Sequence, residues 1–184
     1  MLSQNLESII PQLEDLTRSL FPEILKIYRN PKSKANHKKD GSPVTAADMY
    51  AHKAIIKFLA KNFSDIPVVS EESFAQKGYK PAKEFWIIDP IDGTKEFVNK
   101  SDEFTTNIAL IQNGKSVLGV VGAPAFDSVW SGIAGQPRKA NKKNFKPRKI
   151  LRVVTSKSHR TVIDTAFLSY LDKRGKRLKI ITKG

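Results

Sequence analysis

The stretch that most restricts this chain is Trp86-Ile87-Ile88-Asp89-Pro90-Ile91-Asp92-Gly93-Thr94-Lys95-Glu96-Phe97. The apolar run Phe85–Ile88 reads as a buried strand, and it leads straight into two carboxylates three residues apart. Pro90 fixes the backbone between them. Gly93 lets the chain turn tightly and brings a backbone N–H close to a ligand. Thr94 adds a hydroxyl and a further N–H at the start of a helix. Carboxylates beside exposed amides bind cations and phosphate together. An Asp-Gly turn alone is common and carries little information. The whole string behind an apolar strand is far more specific.

Two other segments supply partners. Val69-Ser70-Glu71-Glu72-Ser73 places two carboxylates at the end of a second apolar run, and Pro43-Val44-Thr45-Ala46-Ala47-Asp48 places an aspartate just inside a helix capped by Thr45. Each has an ordinary explanation alone: solvated acids, and a charge at a helix N-terminus. Together Glu71, Asp89 and Asp92 suit hard divalent cations such as Mg²⁺, which take oxygen ligands in octahedral geometry and keep some water. Two such ions about 4 Å apart activate a water and steady the leaving oxygen of a phosphate ester.

Around these segments the pattern predicts an α+β fold. Leu6, Ile9, Leu13, Leu16, Leu20, Ile24 and Ile27 recur at three- and four-residue steps and predict a first helix, which Pro11 and Pro22 should start or kink. Residues 30–42, polar and rich in Lys, Gly and Ser, read as a loop. Ala51, Ile55, Phe58 and Leu59 give the second helix its apolar face. Strands are expected at Pro67–Ser70, Phe85–Ile88, Thr105–Gln112, Ser116–Val121 and Ser128–Ala134, with Asn113-Gly114 as a hairpin turn. A strand at Lys149–Thr155, a helix at His159–Leu171 and a strand at Arg177–Thr182 then form a strand–helix–strand unit. Helices packed on a largely antiparallel sheet should occupy residues 1–140, and a partial α/β subdomain residues 141–184.

Composition narrows the function classes. The 184 residues contain no cysteine, which excludes disulfides, thiolate metal sites and cysteine nucleophiles. No apolar run approaches the ~20 residues of a membrane span, and Met1–Asn5 lacks the start of a signal peptide, so the cytosol is the simplest compartment. Lys and Arg number 32 against 18 Asp and Glu, a net charge of +14. Such a charge attracts polyanions, among them phosphorylated metabolites and anionic membrane surfaces. The basic stretch 138–152 offers one aromatic, Phe145, and reads as a solvated loop rather than a nucleic-acid platform.

In this order, the three acidic segments resemble the inositol-monophosphatase-like superfamily of Mg²⁺-dependent, lithium-sensitive phosphatases, over about residues 6–184. Asp92-Gly93-Thr94-Lys95-Glu96-Phe97 resembles its 3′(2′),5′-bisphosphate nucleotidase branch, as do Glu103–Leu110 and Gly119–Pro124; the inositol and sugar monophosphatases are the alternative. The resemblance implies a sugar-phosphatase-like layered sandwich and, for an assembly, a homodimer. It implies that Glu71, Asp89 and the Ile91 carbonyl hold one metal, and that Asp89 bridges to a second shared with Asp92. Glu71 and Thr94 would orient the attacking water, Asp48 would align Thr94, and Asp92, Gly93 and Thr94 would bind substrate. That substrate would be adenosine 3′,5′-bisphosphate. One feature departs from the pattern. The family's Trp-Asp segment, with a further metal-binding aspartate, has no match here, since Trp86 and Trp130 precede Ile87 and Ser131. The expectation is a chain cut short at its C-terminus and impaired at the second metal.

Other phosphatase readings fit less well. Haloacid-dehalogenase-type enzymes space their aspartates two apart, which puts both on one side of an extended chain; three apart they should not share a side. Gly114-Lys115-Ser116 lacks the earlier glycine of a phosphate loop, since position 109 is Ala. His37, His52 and His159 show no metal-ligand spacing and read as surface or packing residues.

Overall fold

A computed structural model describes residues 6–30, 36–37, 43–73, 82–136, 150–156 and 161–183. The chain divides into two compact units, Met1–Arg138 and Lys139–Gly184. Most of the basic stretch 138–152, and most of the loop at 30–42, lie outside the described residues.

The first unit is built on helix α1 (Leu6–Arg29) and helix α2 (Ala46–Asn62), with the two-residue strands β1 (Asn36–His37) and β2 (Pro43–Val44) between them. The β1–β2 pair is antiparallel, with β1 inside the segment read from sequence as loop and β2 just after it. α1 carries Pro11 and Pro22 in its interior rather than starting or ending at them. Each interior proline removes one backbone hydrogen bond and costs about 3 kcal/mol. The unbroken apolar stripe Ile9, Leu13, Leu16, Leu20 and Ile24, all buried, offsets that cost.

Strands β3 (Val68–Ser70), β4 (Glu84–Asp92), β5 (Thr105–Gln112), β6 (Lys115–Ala123) and β7 (Ser128–Ile133) form one sheet in sequential order. β3 and β4 run parallel, so the sheet is mixed; the other three pairings are antiparallel. The β5–β6 hairpin turns at Asn113 and Gly114, both with positive φ (50° and 73°), as the paired turn residues of such a hairpin require. Alternate residues Trp86, Ile88, Ile108, Leu110, Leu118 and Val120 are buried on one face of the sheet. α2 packs against β4, and α1 against β6 and β7.

Among the described glycines the tightest surroundings are those of Gly122 on β6. A Cβ there would lie 2.3 Å from Cγ2 of Thr17 and 2.9 Å from Cε1 of Phe21. The Thr17 hydroxyl donates to the Leu13 carbonyl at 2.7 Å, which satisfies it inside the core.

The second unit is one βαβ turn: β8 (Ile150–Ser156), α4 (Val162–Lys173) and β9 (Arg177–Lys183), with β8 and β9 parallel. α4 starts three residues later than the apolar pattern suggests, because Thr161 caps it. The Thr161 N–H donates to Asp164 Oδ2 at 2.7 Å, closing a capping box.

Gly122→Val should destabilise the protein by roughly 3 kcal/mol through overpacking against α1. Gly122→Ala should be milder, and Thr17→Ser, which removes the obstructing methyl, should restore part of the loss. Urea unfolding of the single and double variants measures the coupling.

Candidate active site

β4 does not end where its apolar run ends. It continues through Asp92, with a register shift between Asp89 and Asp92. Asp89 pairs with Asn107 and Asp92 with Thr105, so three steps along β4 match two along β5. The extra residue is a β-bulge, and it re-aims the side chains beyond it. Asn107 and Thr105 share a face of β5, so Asp89 and Asp92 are brought to that face too. Pro90 and Ile91 are both buried, the break in alternation that a bulge leaves. The sequence argument that carboxylates three residues apart cannot share a side therefore fails here, because it assumes a regular strand.

The bulge is held by side chains. The buried Thr106 hydroxyl donates to the Pro90 carbonyl at 2.9 Å. Asn107 Nδ2 donates to Asp92 Oδ2 at 3.1 Å. Gly93 comes next with φ 88°, where a Cβ would meet the Glu103 carbonyl oxygen at 2.8 Å, so both its conformation and its surroundings require glycine. The short helix α3 (Thr94–Val98) starts there. It is backed by Phe97, which packs at 5.1 Å from Tyr28 and 4.8 Å from Phe104 between ring centroids. The Tyr28 hydroxyl donates to Asp102 Oδ1 at 2.8 Å and ties the loop after α3 to α1.

Asp48 serves two elements at once. Its Oδ2 accepts from the Thr45 N–H at 2.7 Å and the Thr45 hydroxyl at 2.5 Å, capping α2. Its Oδ1 lies 3.3 Å from Thr94 Oγ1, which is also 3.0 Å from the Ile91 carbonyl oxygen. A hydroxyl has one proton, so it serves one of these acceptors at a time. Donation to Asp48 leaves the Ile91 carbonyl lone pairs available. Asp48 is fully buried, and that burial raises its pKa above the usual carboxylate value, opposed by its bonds to Thr45 and Thr94.

Glu71 opens a single 3₁₀ turn (Glu71–Ser73) directly after β3. The parallel pairing of Ser70 with Ile88 sets it beside Asp89. Ser70 is fully buried. Its Oγ lies 2.8 Å from His52 Nδ1 on α2 and accepts from the Glu72 N–H at 3.4 Å. His52 thus anchors the residue that precedes Glu71, a role its sequence context does not signal.

The electrostatics are those of crowded like charges. Asp89 is pushed up to about 7, first by burial, then by the negative charges of Glu71 and Asp92, with Asp48 contributing. Its buried Oδ1 has no hydrogen-bond partner among the described residues. Among the described residues no three acidic or histidine side chains already form a group able to hold a metal ion. The donors are neighbours rather than a preformed cage. An all-oxygen donor set with an orphaned, poorly solvated carboxylate oxygen is nevertheless what a hard divalent cation would satisfy.

Replacing Thr106 by Val should leave the buried Pro90 carbonyl unpaired and cost about 1–3 kcal/mol. Chemical denaturation of this variant measures that loss.

Comparison with known proteins places the chain among phosphatases. The sequence profile described as the inositol monophosphatase family matches residues 5–177. The 3′(2′),5′-bisphosphate nucleotidase CysQ of Shigella flexneri is 38% identical over 179 residues, an alignment covering 91% of this chain and 70% of that protein. The crystal structure of CysQ from Bacteroides thetaiotaomicron superposes with a TM-score of 0.70 at 31% identity, covering 92% of this chain and 70% of the other. An IMPase from Thermotoga maritima gives 0.69 at 28%, covering 94% and 68%. With a bulged acidic strand, its glycine turn and a profile match over nearly its whole length, the chain belongs to the inositol monophosphatase family of phosphatases.

Proposed function

We propose that this chain hydrolyses the 3′-phosphate of adenosine 3′,5′-bisphosphate to AMP and phosphate, using Mg²⁺. The observation that carries the reading is the bulge that sets Asp89 and Asp92 on one face, beside Glu71 and next to the Gly93-Thr94 amides. The substrate is inferred from the CysQ relatives, each named a 3′(2′),5′-bisphosphate nucleotidase.

In this reading Glu71, Asp89, the Ile91 carbonyl and Asp92 are the groups that would hold the cations. When bound, the cations make water a stronger nucleophile near neutral pH and neutralise charge developing on the phosphate. The chain's own groups do the rest. Glu71 and the Thr94 hydroxyl orient the attacking water. With its proton directed to Asp48, Thr94 Oγ1 presents a lone pair to that water. The buried Asp48 is itself fixed by its bonds to Thr45, so this alignment does not drift. Asp92 and the Gly93 and Thr94 N–H groups contact the phosphate. The net charge of +14 speeds encounter with a multiply charged nucleotide at low salt. The setting is the cytosol.

Asp89→Asn should lower Mg²⁺-dependent phosphate release from adenosine 3′,5′-bisphosphate by more than the roughly 100-fold lost with an outer-shell partner. A variant as active as the parent would remove Asp89 from the metal site. Parent activity should also fall on adding Li⁺.

Asp89 has a second consequence, in the metal-free protein. A carboxyl raised from 3.8 to about 7 binds its proton more tightly folded than unfolded. The stability it contributes is fully present below about pH 4 and is lost as pH rises through 7. Metal-free protein should therefore melt at progressively lower temperature across that window. Asp89→Asn should flatten the dependence and raise the melting temperature at pH 7.5. Scanning calorimetry in a chelating buffer reads both effects.

A further inference from the structure

Asn107 has no part in the reaction as described so far, yet it adjoins two of the carboxylates. It is the cross-strand partner of Asp89 on β5. Residues directly opposite in an antiparallel pair have Cβ atoms about 5 Å apart. Its Nδ2 donates to Asp92 Oδ2 at 3.1 Å. Among the described residues its buried Oδ1 has no hydrogen-bond partner, and neither has Asp89 Oδ1. The orientation of the amide is dictated by its neighbour. Turned over, Oδ1 would face the Asp92 carboxylate, acceptor against acceptor, and the bond would be lost. Two orphaned acceptor oxygens on paired residues of one sheet face need a donor or a cation, and no described residue supplies either there.

We infer that Asn107 is a positioning residue of the cation site: its amide N–H holds Asp92 in the orientation that binds metal, and its Oδ1 accepts a hydrogen bond from water carried by the bound cation. The inference rests on the reading of Asp89 and Asp92 as cation ligands. A ligand carboxylate held by an outer-shell donor keeps its geometry without the entropy cost of being ordered at each binding event. A mere strand-packing role would predict that any β-compatible side chain of similar size serves as well at this half-buried position.

The test is calorimetric titration of the metal-free parent, Asn107→Leu, Asn107→Thr and Asp89→Asn with MgCl₂, with melting temperatures measured without metal. Leu keeps the bulk and removes both polar atoms; Thr suits a strand but is too short to reach Asp92. Both should bind Mg²⁺ at least about tenfold more weakly than the parent. Their metal-free melting temperatures should stay within about 2 °C of it. In phosphate-release assays the Mg²⁺ requirement should rise, while kcat at saturating Mg²⁺ stays within about threefold, the difference expected when ligand orientation rather than chemistry is lost. Parent-like Mg²⁺ affinity in both variants would overturn the inference and leave the site reading intact. Unfolding of both would assign Asn107 a structural role instead. A parent that binds no Mg²⁺, or binds it no better than Asp89→Asn, would overturn the site reading and this inference together.

Discussion

One extra residue in β4 organises this site. Without the register shift between Asp89 and Asp92, regular alternation would send one carboxylate to the solvent side of the sheet and the other into the helices. With it, both share a face, and Glu71 arrives beside them from the parallel strand β3. The energetic signature is burial joined by repulsion. Asp89 shows it: burial first, then the negative charges of Glu71 and Asp92, disfavour its ionised form. In the metal-free protein a proton offsets both effects; a divalent cation would do so with greater charge.

The scaffold resists that repulsion with bonds of ordinary strength placed where the backbone leaves regular structure. Thr106 satisfies the Pro90 carbonyl within the bulge. The Glu103 carbonyl lies against Gly93 and leaves no room for a side chain. Lys100 and Asp102 adopt positive φ (57° and 60°), which is uncommon outside glycine. Their side chains compensate: Lys100 Nζ bonds the Tyr28 carbonyl, and Asp102 takes the Tyr28 hydroxyl. The loop that backs Gly93 and α3 is thereby anchored to the long first helix. Asp48 links α2 to Thr94 in the same manner, so both large helices have a direct connection to the site.

Local chemistry was legible where the causes are local. Thr45 with Asp48 reads as a capping box from four residues, and it forms one. Asn113-Gly114 turns a hairpin because both positions tolerate positive φ. The alternation in Thr105–Gln112 and the 3.6-residue stripe of α1 each report which face is buried. Neither proline of α1 starts the helix; both lie inside it, where burial of the continuous stripe outweighs their low local propensity. His52 and Asn107 gave no signal. A single histidine on a helix, or an asparagine in a strand, acquires meaning only from what lies opposite it in another element.

The sequence alone determined the identities of the acidic residues, the order of the elements that carry them, the glycine at 93 and the resemblance to a phosphatase family. Those depend on side-chain chemistry and on hydrophobic periodicity, which neighbouring residues encode. Only the tertiary structure decided that Asp89 and Asp92 share a face. The bulge is defined by the register of β4 against β5, a pairing between segments far enough apart in sequence that no local pattern specifies it.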